Sequence, residues 1–347
     1  MSNSLAATYL GLELSSPLVV GACPLNIEPE TVRQLVDAGA GAIVLPSMLQ
    51  EQIDYRNMKA SDPTGALQHS GYQPQQDKYN GGVDCYLKSI ESIKKTCGVP
   101  LIGSLNGSGI GDWIGYAKEI ESAGADALEF NPQSVFFDVN EDANSIESRL
   151  CDLIHHVADS VLIPLAVKVT QRYTNLASIS NKLNDAGAKG VVLFTHLPQW
   201  DVSTDRMHWT IRWELSPVDS LGGILEGIVR VRGENPALSI AASGGVSSGE
   251  DAIKAIIAGA DVAMVTSAVY REGPEVIRQI TDGIRRHLEL SSYQSLSEFC
   301  QARPIIDASS KHQMRLQYVD PLTRSGTYFD PSPSIVSGSG DAFGHKV

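Results

Sequence analysis

Four near-identical tripeptides punctuate the chain: Ala38-Gly39-Ala40, Ala123-Gly124-Ala125, Ala186-Gly187-Ala188 and Ala258-Gly259-Ala260. Each lies between a segment of helical periodicity and an apolar run. A glycine just past a helix end takes the left-handed conformation that caps the helix, and small neighbours let the chain turn straight into the next strand. Four such junctions predict a repeated helix–strand architecture.

The apolar runs predict eight strands, near 17–22, 41–45, 99–104, 125–130, 163–169, 188–194, 238–243 and 261–266. They are nearly continuous rather than alternating, as expected of parallel strands covered on both faces. Helical patterns near 28–38, 82–97, 112–123, 143–159, 174–186, 219–233, 248–258 and 274–290 lie between and after them. Eight strands each followed by a helix is the pattern of an α/β (β/α)8 TIM barrel, and 347 residues suffice for one. The stretch Thr8 to Ser16 reads as an N-terminal hairpin able to plug the barrel bottom. Domain 1–290 is expected to be the barrel, and 291–347 a C-terminal extension whose Ser-, Gly- and Pro-rich tail is partly disordered.

Two connections exceed ordinary loop lengths. One runs from about Ser47 to Gly81. The other runs from about Thr195 to Ser216 and carries Trp200, Trp209 and Trp213 with His196 and His208. Both leave the C-terminal ends of strands, where barrel enzymes place their chemistry.

A formal net charge of −13 argues against a broad electrostatic grip on nucleic acid. The N-terminal residues contain neither a basic segment nor an apolar stretch able to span a bilayer, which predicts a cytoplasmic protein without membrane contact. The five cysteines lack metal-ligand spacing, so no metal is expected and the thiols are read as free.

The run from Leu238 ends at Gly244-Gly245, where backbone N–H groups can approach an anion without Cβ interference; the run from Val262 ends at Thr266-Ser267, which add two hydroxyls. Loops after the last two strands of such barrels often hold a phosphate. The remaining strand ends offer Ala22, Ser47, Asn106, Asn131, Thr195 and, inside strand five, Lys168. An ammonium in a parallel strand faces either the helix layer or the barrel interior. Left unpaired it is costly, so an anion should meet it: a barrel carboxylate such as Glu129, or charge on a bound cofactor.

Val19 to Ala22, Asn106, Glu129-Phe130-Asn131, Val167-Lys168-Val169, Ser243-Gly244-Gly245-Val246 and Ser267 to Pro274 resemble, in order and spacing, the dihydroorotate dehydrogenase family, in particular its class 1, soluble branch and the proteins called dihydroorotate dehydrogenase-like. The resemblance spans roughly residues 8 to 290. It implies an FMN-dependent oxidoreductase of CH–CH groups, a homodimer, and a place in pyrimidine metabolism. It further implies an FMN phosphate on Gly244, Gly245 and Ser267, with Gly223, Thr195 and Thr266 beside the cofactor. The flavin would contact Ala22, Ser47, Asn106, Asn131 and Lys168, and Ser134 falls at the position of the family's base. Hydride would pass between a small substrate and flavin N5 while Ser134 moves a proton.

The departures lie at the substrate end. Val135-Phe136 replace the Pro-Asn that follows the base, Pro46-Ser47 replace a Lys-Ser, and Thr195-His196 replace an Asn-Thr. The Asn-containing loop after strand two survives only faintly in Asn80 to Leu87, and Thr266 stands where relatives carry Gly. Dihydroorotate is therefore not the expected substrate; a small cyclic or unsaturated compound is. His196 and His208 are alternative proton carriers. The tryptophans form either an aromatic lid or a packed loop. Two rival functions stand beside this reading: a catalytically impaired flavin- or phosphate-binding barrel serving in assembly, and a non-flavin lyase or isomerase of sugar phosphates.

Overall fold

A computed structural model describes residues 5–61, 79–107, 113–133 and 138–304, with short helical turns at 315, 318–319 and 322–323. The chain divides into two compact units, Met1–Pro304 and Ile305–Val347. In the second, the Arg315 guanidinium lies over the Tyr318 ring at 5.1 Å.

In the first unit, strands β3 (Leu18–Val20), β4 (Ala42–Val44), β6 (Leu101–Asn106), β7 (Ala127–Asn131), β8 (Leu165–Val169), β9 (Gly190–Leu193), β12 (Ser239–Ser243) and β13 (Val262–Val265) pair in parallel. The ring closes because β4 pairs with both β3 and β6, Ile43 standing beside Leu101. The result is a (β/α)8 TIM barrel. A two-residue strand β5 (Met48–Leu49) extends β6 at the mouth. Around the ring run α1 (Pro29–Asp37), α2 (Gln50–Ala60), α3 (Val83–Lys94), α4 (Trp113–Ser122), α5 (Ala143–Ser160), α6 (Leu176–Asp185), α7 (Gly222–Glu234), α8 (Gly249–Ala258), α9 (Ser267–Glu272), α10 (Glu275–Leu290) and α11 (Leu296–Ala302).

The Ala-Gly-Ala junctions do what their composition predicts. Gly39, Gly124, Gly187 and Gly259 sit at φ between 106° and 122°. In each, the glycine N–H reaches back three residues and the following alanine N–H reaches back five, to carbonyls such as Val36 and Leu35. This is the Schellman pairing that satisfies the last free carbonyls of a helix. In two units the next residue is aspartate and ties the new strand to its predecessor: Asp126 accepts from Leu101 N, and Asp261 from Ile240 N.

Strand residues alternate between two apolar layers. Val19, Ala42, Val44, Ile102, Ala127, Ala166, Val192, Ala241, Val262 and Met264 line the barrel interior, where Tyr9, Leu10 and Leu14 join them. Those three come from the hairpin of β1 (Ala7–Tyr9) and β2 (Leu12–Leu14), which thus plugs the barrel. Leu10 N donates to Ser239 Oγ at 3.1 Å, and a Cβ on Gly190 would meet Leu10 Cδ2 at 2.6 Å, so the glycine makes room for the plug. Burying each such side chain contributes about 1.5–3 kcal/mol. The alternate residues, Leu18, Val20, Ile43, Leu128, Phe130, Val167 and Leu193 among them, pack under the helices.

The structure adds elements inside both long connections. Helix α2 begins the first; it is polar on nearly every side and buries only Gln52 and Ile53, so it leaves little amphipathic signal. The second holds an antiparallel hairpin of β10 (Gln199–Ser203) and β11 (His208–Arg212). Beyond residue 290, α11 buries Leu296 and Phe299. Among the described residues no helix is long and apolar enough to cross a membrane.

Candidate functional site

Side-chain parity decides where Lys168 points. Ala166 belongs to the interior layer, while Leu165, Val167 and Val169 pack under the helices; Lys168, two residues beyond Ala166, therefore projects inward. Parity likewise turns Glu129 and Asn131 inward above Ala127, and Ser104 and Asn106 above Ile102. Register sets Ser104 beside Glu129 and Asn106 beside Asn131. Apolar layers thus give way to a polar one at the C-terminal ends of the strands.

Within that layer, Lys168 Nζ stands 3.4 Å from Glu129 Oε1, so the barrel carboxylate does meet the ammonium. The other carboxylate oxygen, and Asn131 Oδ1, are buried without a hydrogen-bond partner among the described residues. A buried acceptor left unpaired costs about 1–3 kcal/mol, and a donor on a bound molecule could relieve that cost at Asn131. Ser47 Oγ and Ser104 Oγ share a hydrogen bond of 2.8 Å. Ser47 N donates to the Tyr79 hydroxyl, and Ser104 N to that of Tyr86.

The amide of Asn80, in the loop before α3, is fully used. Its Oδ1 accepts from Gln52 Nε2 at 2.6 Å and from Gly82 N, and its Nδ2 donates to Ser47 O and Gln52 Oε1. An amide with all these bonds made has nothing to offer a ligand. Cys23 lies just past β3; its thiol donates to Asn26 Oδ1 at 3.5 Å, and burial pushes it up to about 11. Burial likewise raises the Tyr79 and Tyr270 phenols. Each of these three groups is therefore protonated at neutral pH.

Across the mouth, Gly244 and Gly245 have φ of 112° and 67°. A Cβ on Gly245 would lie 2.8 Å from Ser220 Oγ and 2.9 Å from Leu221 N, so only glycine lets this turn close on the start of α7. No side chain caps α7 at Leu221, so the first N–H groups of the helix, beside the Gly245 turn, have no side-chain partner there and could serve an anion. Ser216 N donates to Ser267 Oγ at 3.0 Å, and Arg271 Nη2 donates to Ser216 O, which leaves the Ser267 hydroxyl proton available. Thr266 turns its side chain toward β3: a Cβ on Gly21 would meet Thr266 Oγ1 at 2.5 Å. The threonine is accommodated by a glycine opposite.

Of the residues marked in the sequence, Ala22, Ser47, Asn106, Asn131, Lys168, Thr195, Gly223, Gly244, Gly245, Thr266 and Ser267 all lie at or just beyond C-terminal strand ends or at the start of α7. Thr195 N donates to Val169 O. Ser134 lies outside the described residues. His196 Nε2 pairs with Glu214 O at 2.6 Å and meets Trp213 edge-on, whereas His208 is exposed on β11. The hairpin has two chemically distinct faces: Trp200 pairs with Ile211 and Val202 with Trp209 on one, while Asp201, Thr210 and Arg212 share the other. The apolar four are 47–70% exposed, so this face is not packed onto its own barrel. The sequence gives no signal for Tyr79, which lies in the loop before α3, whereas Cys23 and Arg271 stand in the strand-one end and the Ser267 to Pro274 run without a role being readable for either.

Set against known proteins, residues 4–288 match the sequence profile of the family described as dihydroorotate dehydrogenase. Similar curated proteins include the catalytic subunit of dihydroorotate dehydrogenase B (NAD(+)) of Methanocaldococcus jannaschii, 26% identical over 81% of this chain and 92% of the relative. The protein of the same name from Pyrococcus furiosus is 23% identical over 85% of this chain and 97% of its own length.

Proposed function

The chain belongs to the dihydroorotate dehydrogenase family and is an oxidoreductase of CH–CH groups with FMN as its cofactor, and we propose that it acts on a small cyclic or unsaturated compound other than dihydroorotate. The described residues fit the cofactor: a cradle that a Cβ would fill at Gly245, an uncapped helix end beside it, and the unpaired Asn131 Oδ1 opposite. Gly244, Gly245, Gly223 and Ser267 would hold the phosphate. Asn131, Asn106, Ser47, Ala22 and Lys168 would meet the ring, and Thr195 and Thr266 would close its edges. Bound there, FMN supplies the hydride acceptor at its N5.

Lys168 places an ammonium where negative charge builds up on reduction, and the apolar layers beneath it keep water from screening that charge. Ser134, by its position in the strand-four motif, moves the proton at the neighbouring substrate carbon. The protonated thiol of Cys23 does not compete for this role at neutral pH.

The substrate reading rests above all on Asn80. An amide fully bonded to Gln52, Ser47 and Gly82 cannot also grip a substrate carboxylate, and a carboxylate held by too few donors in a dry site is strongly disfavoured. The test is anaerobic mixing of the FMN-loaded protein with dihydroorotate and with a panel of neutral saturated ring compounds. Dihydroorotate is expected to leave the flavin absorbance unchanged while a member of the panel bleaches it. Rapid bleaching by dihydroorotate would overturn the reading. Ser134→Ala should slow the bleaching reaction by about 10² or more.

The active form we propose is a homodimer. The apolar hairpin face supports it: four side chains exposing on the order of 500 Å² are a large share of the ~800 Å² that each partner of a stable dimer covers.

A further inference from the structure

Lys168 has an assigned task, but the carboxyl group behind it does not. Glu129 is 2% exposed, and its only ion pair among the described residues is the 3.4 Å contact of Oε1 with Lys168. That contact is long for a charge-assisted bond, which normally closes to about 2.7–2.9 Å. The second oxygen, Oε2, has no partner among the described residues. Beneath it lie Ala127, Ala166 and the other apolar residues of the interior layer. The Tyr9 hydroxyl of the plug is also buried without a partner among the described residues, and burial above all, with the charges of Glu129 and Asp261, holds that phenol protonated.

A buried carboxylate with one loose contact is a poor device for stability, because desolvation exceeds what a single long ion pair returns. Its geometry suits another task. An isolated ammonium at the mouth would present a full positive charge to whatever binds above it. An ammonium backed by a carboxylate presents a dipole, whose field falls off faster with distance.

We propose that Glu129 is a positioning residue that anchors the Lys168 ammonium from behind and cancels part of its charge, so that the bound flavin has a lower reduction potential than Lys168 alone would set. This rests on the reading that Lys168 meets the flavin. Electron gain adds negative charge to the ring, and the ion pair stabilises that charge less than a lone cation does. The residue thereby sets how readily the reduced cofactor releases its electrons.

The experiment measures the midpoint potential of the FMN-loaded protein by equilibration with redox dyes, with the dissociation constants of oxidised and reduced FMN as an independent readout. Glu129→Gln keeps the shape and removes the charge. It is expected to tighten binding of reduced over oxidised FMN by at least about tenfold, a rise of about 30 mV for a two-electron couple. Lys168→Ala should move the potential the other way, and the double variant should match Lys168→Ala, since Glu129 acts through the lysine. Glu129→Asp, which keeps the charge, should stay near the wild-type value, a result that a merely structural role would not give. If Glu129→Gln does not fold, Glu129→Met removes the same charge with a side chain of similar length and is read the same way.

A potential unchanged or lowered in Glu129→Gln, with Lys168→Ala still lowering it, would overturn the inference and leave the site reading intact. If Lys168→Ala moves neither potential nor affinity, Lys168 does not meet the flavin, and both fall together.

Discussion

At the scale of single residues, backbone conformation and burial carry the sharpest consequences. Gly245 holds a φ of 67° against the Ser220–Leu221 peptide. Gly245→Ala puts a Cβ into that contact and into a left-handed conformation, at a cost of about 1–3 kcal/mol. It should also weaken FMN binding tenfold or more, which isothermal titration of the apoprotein will measure; unchanged affinity would remove this turn from the phosphate site. Cys23 bears on pH. Its thiol is raised from an ordinary 9.0 to about 11 by burial, so the folded state holds this proton more firmly than the unfolded chain. Its contribution is therefore complete below pH 9 and is lost as pH climbs toward 11, amounting to on the order of 3 kcal/mol. Urea titrations across that window should show a shallower loss for Cys23→Ala than for the wild type. Both glycines of the cradle and Lys168 were legible as residue types. The direction of Lys168 was not, because an unbroken apolar run hides which face of the strand is which; the interior layer containing Ala166 decided it.

At the scale of elements, the helix–strand units announced themselves because each ends in the same capping tripeptide. Six of the eight barrel strands fall inside the expected apolar runs, while β6 and β7 run on to Asn106 and Asn131, past the ends of theirs, and β1–β2 plugs the interior as the short Thr8 to Ser16 segment implied. What escaped was structure within the long connections. Helix α2 buries too few apolar residues to show a periodicity, and β10–β11 alternates in a segment whose tryptophans read equally well as a lid. That hairpin now makes the element-scale prediction. A two-stranded ribbon with its apolar face in water is marginal on its own, and the same face of a second copy is a cover of matching chemistry. Trp209→Ser combined with Ile211→Ser should shift the chain from dimer to monomer in sedimentation equilibrium while FMN stays bound. A dimer that survives both substitutions, or a monomeric wild type, would contradict this.

At the scale of the whole molecule, a barrel closed by β4 and β6 and plugged at one end leaves its polar layer at the other, where glycine turns, an uncapped helix and inward amide and ammonium groups converge. The proposed phosphate end rests on Gly244-Gly245 and Thr266-Ser267, which the sequence already marks, since anion binding there needs only backbone and hydroxyl donors. The substrate end shows in the sequence only as departures from the family, because specificity depends on which amides are already satisfied, and it is the fold that commits Asn80 to Gln52, Ser47 and Gly82. Glu129 was legible in the sequence as an anion that could meet Lys168; what the fold adds is that the contact is 3.4 Å long and leaves the second carboxylate oxygen without a partner among the described residues. All of this depends on FMN occupying the mouth, and the direct measurement is an absorbance spectrum of the purified chain with mass analysis of what it releases on denaturation. Flavin absorbance and about one FMN released per chain are expected, or full uptake on reconstitution of protein purified without it. A folded, colourless protein that takes up no FMN, or prefers a sugar phosphate, would contradict this.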